Sequence, residues 1–353
     1  MSRRFEKSLR NGSRLKRASA SQAPWPQRML LTMGLIFGFA CTPGTSPDAG
    51  PDPALAWDTA FQMTEAGSIS SVWGTSPDNV YAVGGGPLGT ITHYDGSQWS
   101  LQTVPQVPLL VWVHGTGPTD IWAVGTGGGA LHFDGVTWSK VETGVQTDLW
   151  GVFARSPTDV WVVGGYVDRE QPVSLHFDGN GFSIIEIPES ENPLRASALF
   201  KVWGIGQKLF AVGQRGLILG WDGDGWVNQP AGAEANDDFV SLWGSSEDQI
   251  IAVGGRSNAR IARYDGTSWH TIAPFGYGGI NGVYMERPGE ALIAGVFGLA
   301  GIYNLETDEI IEEDTQTRFD LHAIWSDGAG RAYAVGGNFL APYAGVARIR
   351  TEP

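Results

Sequence analysis

The chain has 353 residues, with 50 Gly, 15 Trp, a single Cys and a formal charge of −14. Glycine without a triplet period excludes a collagen-like fibre, and one cysteine excludes an internal disulfide. Eight of the 23 basic residues fall within 1–40, so 41–353 carries 15 basic against 36 acidic residues, a net charge near −21 that repels nucleic acid and anionic lipid.

Residues 2–28 are basic and polar, and Met29–Ala40 (MLLTMGLIFGFA) is a short apolar run. A run of this length is too short to cross roughly 30 Å of hydrocarbon as a helix, but it suits the apolar centre of a secretory signal. It ends on Gly38-Phe39-Ala40-Cys41. This junction resembles a bacterial lipoprotein signal, in which a Cys after small residues is lipidated and becomes the new N-terminus. The resemblance implies that 1–40 is a signal peptide and that Cys41 carries a lipid anchoring an exported protein to the cell envelope, at the outer membrane or cell surface. Residues 41–54 are rich in Pro, Asp and Gly and read as an extended tether. The folded part is then 55–353.

From Val72 onward one pattern recurs. The Gly that ends an Ala-Val-Gly-like triplet is Gly84, Gly125, Gly164, Gly213, Gly254, Gly295 and Gly336, at spacings of 39 to 49 residues and 41 in four of six cases. Repeats begin near residues 69, 110, 149, 199, 239, 280 and 321. Each reads as four strands. The first carries an aliphatic residue and then an aromatic one (Val72-Trp73), with His114 in the aromatic place of the second copy. The second is apolar throughout (Val80 to Val83), as in a strand covered on both faces. The third ends in an aromatic and Asp-Gly, as in Tyr94-Asp95-Gly96, which predicts a type I′ hairpin; the fourth starts at Trp99 or its counterpart.

Seven such units predict an all-β, seven-bladed β-propeller with four antiparallel strands per blade. The seventh copy stops after its third strand near Ile349, whereas Ala56–Phe61 precedes the first copy with Trp57 in the place of a fourth-strand Trp. Pairing these two leftovers closes the ring and removes two exposed edges.

Copies such as VYAVGG…YDGSQW resemble kelch repeats and are similar to the sialidase-type (Asp-box, BNR-like) repeats of bacterial surface propellers. The resemblance implies architecture and transfers no active site: no cysteine lies in the ring for galactose-oxidase chemistry, and no signature groups the arginines as a sialidase would. His93, His132 and His176 fall at one place in successive copies, too far apart for a shared metal at a sheet spacing of about 10 Å. The Asp-Gly carboxylates need no calcium, because they can bond their own backbone. No cofactor, metal or catalytic set is therefore expected.

Loops 1–2 and 3–4 are short and alike, whereas loops 2–3 and 4–1 vary and emerge on one face in a propeller. That face is expected to carry the binding residues Tyr166, Arg169, Arg195, Arg256, Phe275, Tyr277, Phe339 and Tyr343. The expected function is non-enzymatic binding of a protein or glycan at the cell envelope. A carbohydrate-active hydrolase or lyase with its site at the channel mouth, and a purely structural envelope protein, are the alternatives.

Overall fold

A computed structural model of the chain describes residues 57–166, 172–189, 196–232 and 237–352. The chain divides into two units, Met1–Ala49 and Gly50–Pro353, and every described residue lies in the second. Seven four-stranded antiparallel sheets form a seven-bladed β-propeller. The innermost strands are Ser68–Ser76, Leu110–Gly117, Leu149–Ser156, Leu199–Ile205, Phe239–Ser246, Ile280–Arg287 and Leu321–Ser326. Each packs against its two neighbours round a closed ring.

Closure follows the sequence expectation. The strand Trp57–Phe61 pairs antiparallel with Ala344–Thr351, the third strand of the seventh blade, with Trp57 opposite Arg350 and Asp58 opposite Ile349. A side-chain clamp ties this blade to the sixth. Glu313 accepts from the Trp57 indole at 2.7 Å and from the Arg350 guanidinium at 2.7 Å, with all three groups buried.

Neighbouring blades are joined by aromatic contacts. The second-strand aromatic of one blade meets the third- and fourth-strand aromatics of the next: Tyr81 with Phe133 and Trp138, Trp122 with Phe177 and Phe182, Trp161 with Trp221 and Trp226, Phe210 with Tyr264 and Trp269. Centroid separations of 4.7 to 6.2 Å with tilted or edge-on planes are favourable for ring quadrupoles. This explains why aromatics recur at fixed places in the repeat.

The recurring glycine has a different cause. At each of the seven positions, an added Cβ would overlap the carbonyl oxygen of the chain entering the inner strand, for example Ser68 O at Gly84 and Asp238 O at Gly254. Only glycine permits that approach. Beside it, the pairing of the first two strands slips by one residue in every blade, as between Ile69 and Ser71 or between Leu199 and Lys201. A β-bulge is thus built into the start of all seven inner strands.

The 3–4 turns differ from expectation. Tyr94 pairs with Trp99, so the loop is four residues long rather than a two-residue type I′ turn. Only the glycine takes positive φ, +91° at Gly96, and Asp95 instead accepts the Ser97 and Gln98 amides through one carboxylate oxygen. The Ser97 hydroxyl and these amides hold the exposed Asp95 carboxyl down at about 2. The same amide pattern recurs at Asp134, Asp178, Asp222 and Asp265.

Candidate binding site at the channel mouth

The central channel differs at its two ends. Toward the far end of the inner strands, Trp73, His114, Phe153, Trp203, Trp243, Tyr284 and Trp325 form an aromatic collar, with successive centroids 4.8 to 6.5 Å apart from Trp73 to Trp325. His114 belongs to it with one ring nitrogen bonded. Its Nδ1 accepts the Ala154 amide at 3.2 Å, and burial lowers its pKa to about 4 although the Asp120 charge opposes the shift.

The opposite end opens into a recess of about 390 Å³. Its lining contains the bulged residue of every blade: Ser70, Val111, Trp150, Phe200, Val240, Asn281 and His322. A bulge re-aims a side chain out of strand alternation, and here seven of them converge on one axis. Leu109 from a 4–1 connection and Phe339 from a 2–3 connection complete the rim, so the recess opens on the face where those loops emerge. The remaining lining residues are Trp112 and Lys201. No carboxylate or guanidinium is among them, so this cavity lacks the acid pair of a glycosidase.

Several polar groups of the rim are already paired. Ser70 donates to Leu110 O at 3.0 Å, Asn281 to Leu321 O at 3.0 Å, and the Trp150 indole to Gly165 O at 2.8 Å. His322 stacks edge-on against Phe339 at 4.5 Å, and burial lowers its pKa against the opposing Asp320 charge.

Of the sequence-predicted residues that are described, Phe339 alone reaches this recess. Tyr343 lies over Gly86, where an added Cβ would sit 2.9 Å from its ring. Tyr277 donates to Ile310 O at 3.3 Å and borders a second, more polar depression of about 750 Å³ with Phe297, Glu312 and Arg318. That depression is the larger, but it draws on a single sector of the ring, and its Glu313 is engaged in the closure clamp. Arg256 is bound by Asp238 at 2.9 and 2.6 Å, the Tyr166 hydroxyl donates to Gln146 O at 2.8 Å, and Phe275 is fully exposed. Arg169, Arg195 and Cys41 lie outside the described residues. His93, His132 and His176 are structural: each bonds Asn79, Asp120 or Asp159 at 2.7 to 2.9 Å and packs on a second-strand aromatic.

The loop face has a regularity not read from the sequence. The 2–3 connections of the second, fourth and sixth blades share one conformation, with Gly127, Arg215 and Phe297 at φ of +63°, +58° and +58°. Each backbone amide donates to an Asp of the next blade, Asp148, Asp238 or Asp320. A non-glycine residue there carries backbone strain, of order 1–3 kcal/mol.

No protein-family model matches the sequence, and no curated protein matches it either. Solved structures do match. The WD40 β-propeller domain of Doa1 superposes with a TM-score of 0.65 at 11% identity, over 84% of this chain and 97% of that one. A structure described as YCF48 bound to D1 peptide gives 0.62 at 13% identity, over 84% and 97%. YCF48 from Cyanidioschyzon merolae gives 0.62 at 14% identity, over 84% and 99%. The likeness is one of fold.

Proposed function

We propose that this chain is a binding module that takes part of a protein ligand into the channel-mouth recess on its 2–3/4–1 face. The observation that carries this reading is the convergence of seven bulged residues on one apolar, aromatic-rimmed recess. Such a concavity, with few polar groups, is the ordinary form of a ligand site. A propeller of similar fold described as bound to a peptide is consistent with it. A random peptide library panned against the full chain tests the proposal. Enriched peptides are expected to lose about tenfold or more in affinity on Phe200→Ala, the loss typical of a central aromatic anchor. They should bind Val136→Ala, changed at an exposed 3–4 turn, as they bind the unaltered chain. Failure to enrich peptides, or equal binding to both variants, refutes it; capture of glycans alone would favour a sugar ligand.

The Met29–Ala40 run and Cys41 support placing this module at the cell envelope on a lipid. In a bacterial host fed labelled palmitate, the full chain is expected to carry label in the membrane fraction. Cys41→Ala is expected to carry none, and label retained on that variant would refute lipidation at Cys41.

A further inference from the structure

Within the recess, Lys201 stands apart. The position before the aliphatic column of the inner strand is Ser71, Trp112, Gly151, Lys201, Ser241, Gly282 and Ala323 around the ring. Five of these are small; the two large ones, Trp112 and Lys201, meet across the third blade. Gly151 allows this, because an added Cβ there would lie 3.0 Å from the Lys201 Cα. The Lys201 Nζ sits 2.8 Å from the centroid of the Trp112 ring. Lys201 is 4% exposed, and its ammonium has no hydrogen-bond or ion-pair partner among the described residues.

A buried ammonium held only by a ring face is under-satisfied, since it has three donors and strong hydration to replace. The other titratable group on the recess is His322, which supplies no negative charge. Burial accordingly drives the Lys201 pKa well below its ordinary value. Trp112 covers the amine, and Phe200, Trp150 and Val240 add apolar surface to the same recess. One anionic acceptor attached to an apolar body complements this combination of amine and rings.

We propose that the recess selects a carboxylate borne on an aromatic or branched aliphatic group, with the carboxylate seated on Lys201 and the apolar part against Trp150 and Phe200. The inference rests on the binding reading above and names the chemistry that site prefers. One carboxylate fits better than a polyanion: the chain carries a net charge of −14, and the recess offers one cation. A free organic acid and an acidic side chain of a peptide present the same group.

Calorimetry on the full chain separates these cases. The probes are 3-phenylpropanoate, its neutral amide, and the capped dipeptides acetyl-Phe-Glu-amide and acetyl-Phe-Gln-amide. The acid of at least one pair is expected to bind at least about tenfold more tightly than its neutral partner, as for a charge-assisted hydrogen bond. Lys201→Met keeps the stem and volume and should bring that ratio to about one while neutral binding persists. Preference confined to phenylpropanoate identifies a small acid; preference confined to the Glu dipeptide identifies a peptide side chain. Equal affinity within both pairs, a preference that survives Lys201→Met, or no binding of any probe overturns the inference. If library peptides still depend on Phe200 but are indifferent to Lys201→Met, the recess remains a binding site and the carboxylate assignment alone fails. Circular dichroism and the melting temperature confirm folding of the variant, which is expected to be at least as stable because an unpaired buried amine is gone.

Discussion

The inner strand Leu199–Ile205 passes from one end of the channel to the other, and its ends obey different rules. At the mouth, Phe200 and Lys201 border an open recess, and their counterparts in other blades vary in size, polarity and charge. Four residues along from Leu199, Trp203 lies in the collar between Phe153 and Trp243 at centroid distances of 6.3 and 5.4 Å, where every counterpart is a ring. Uniformity marks the end that holds the blades together. Departure from uniformity marks the open end, where, on the reading proposed above, an unpaired buried amine serves binding rather than stability.

The largest test of this contrast is a pair of truncations on that one strand. Trp203 is 5% exposed, and Trp203→Ala is expected to destabilise the chain by about 3–5 kcal/mol, the range for losing a buried aromatic with incomplete collapse around the cavity. Phe200 is half-buried, so Phe200→Ala should cost about 1 kcal/mol in stability while weakening the proposed peptide binding by about tenfold or more. Denaturant unfolding of both variants measures the difference. Equal losses would mean that the mouth is as structural as the collar and that its variation carries no functional information.

The fold was legible because its causes are local and repeated. The glycine column answers a backbone contact that no side chain tolerates, and the aromatic columns answer blade-to-blade packing. Ring closure was legible because Trp57 stands where a fourth-strand Trp belongs. The 3–4 turns were misread because Asp-Gly serves both two-residue and four-residue loops, and the pairing of Tyr94 with Trp99 decides between them. The site was mostly not legible. Loop variation reports length and composition, not convergence on an axis, so Arg256 is engaged by Asp238, Phe275 projects into solvent and Tyr277 borders the other depression. The bulged residues sit inside strands, and their aim depends on a register slip that strand alternation does not reveal. One signal was available: Lys201 and Trp112 interrupt a column of Ser, Gly and Ala.

His114 sharpens the comparison from the collar side. It is the one ring of the collar that titrates near neutrality, and it stays neutral because desolvation lowers its pKa from 6.5 to about 4. Trp73, Phe153 and Trp243 face it, and Asp120 is the nearest opposing charge. Between these two pH values the unfolded chain binds a proton that the folded chain refuses, so stability is full above 6.5 and falls as the pH drops toward 4. The shift corresponds to about 3 kcal/mol across that window. His93 and His322, also lowered by burial, add to the same slope, so the quantity to measure is the difference between chains. His114→Gln keeps an acceptor for the Ala154 amide and cannot titrate. Its stability, followed by urea unfolding from pH 7 to 4, should decline less steeply than that of the unaltered chain by about that amount. Parallel curves would show that His114 gains a proton in the folded ring, and that the collar is wetter, and closer in character to the mouth, than its packing indicates.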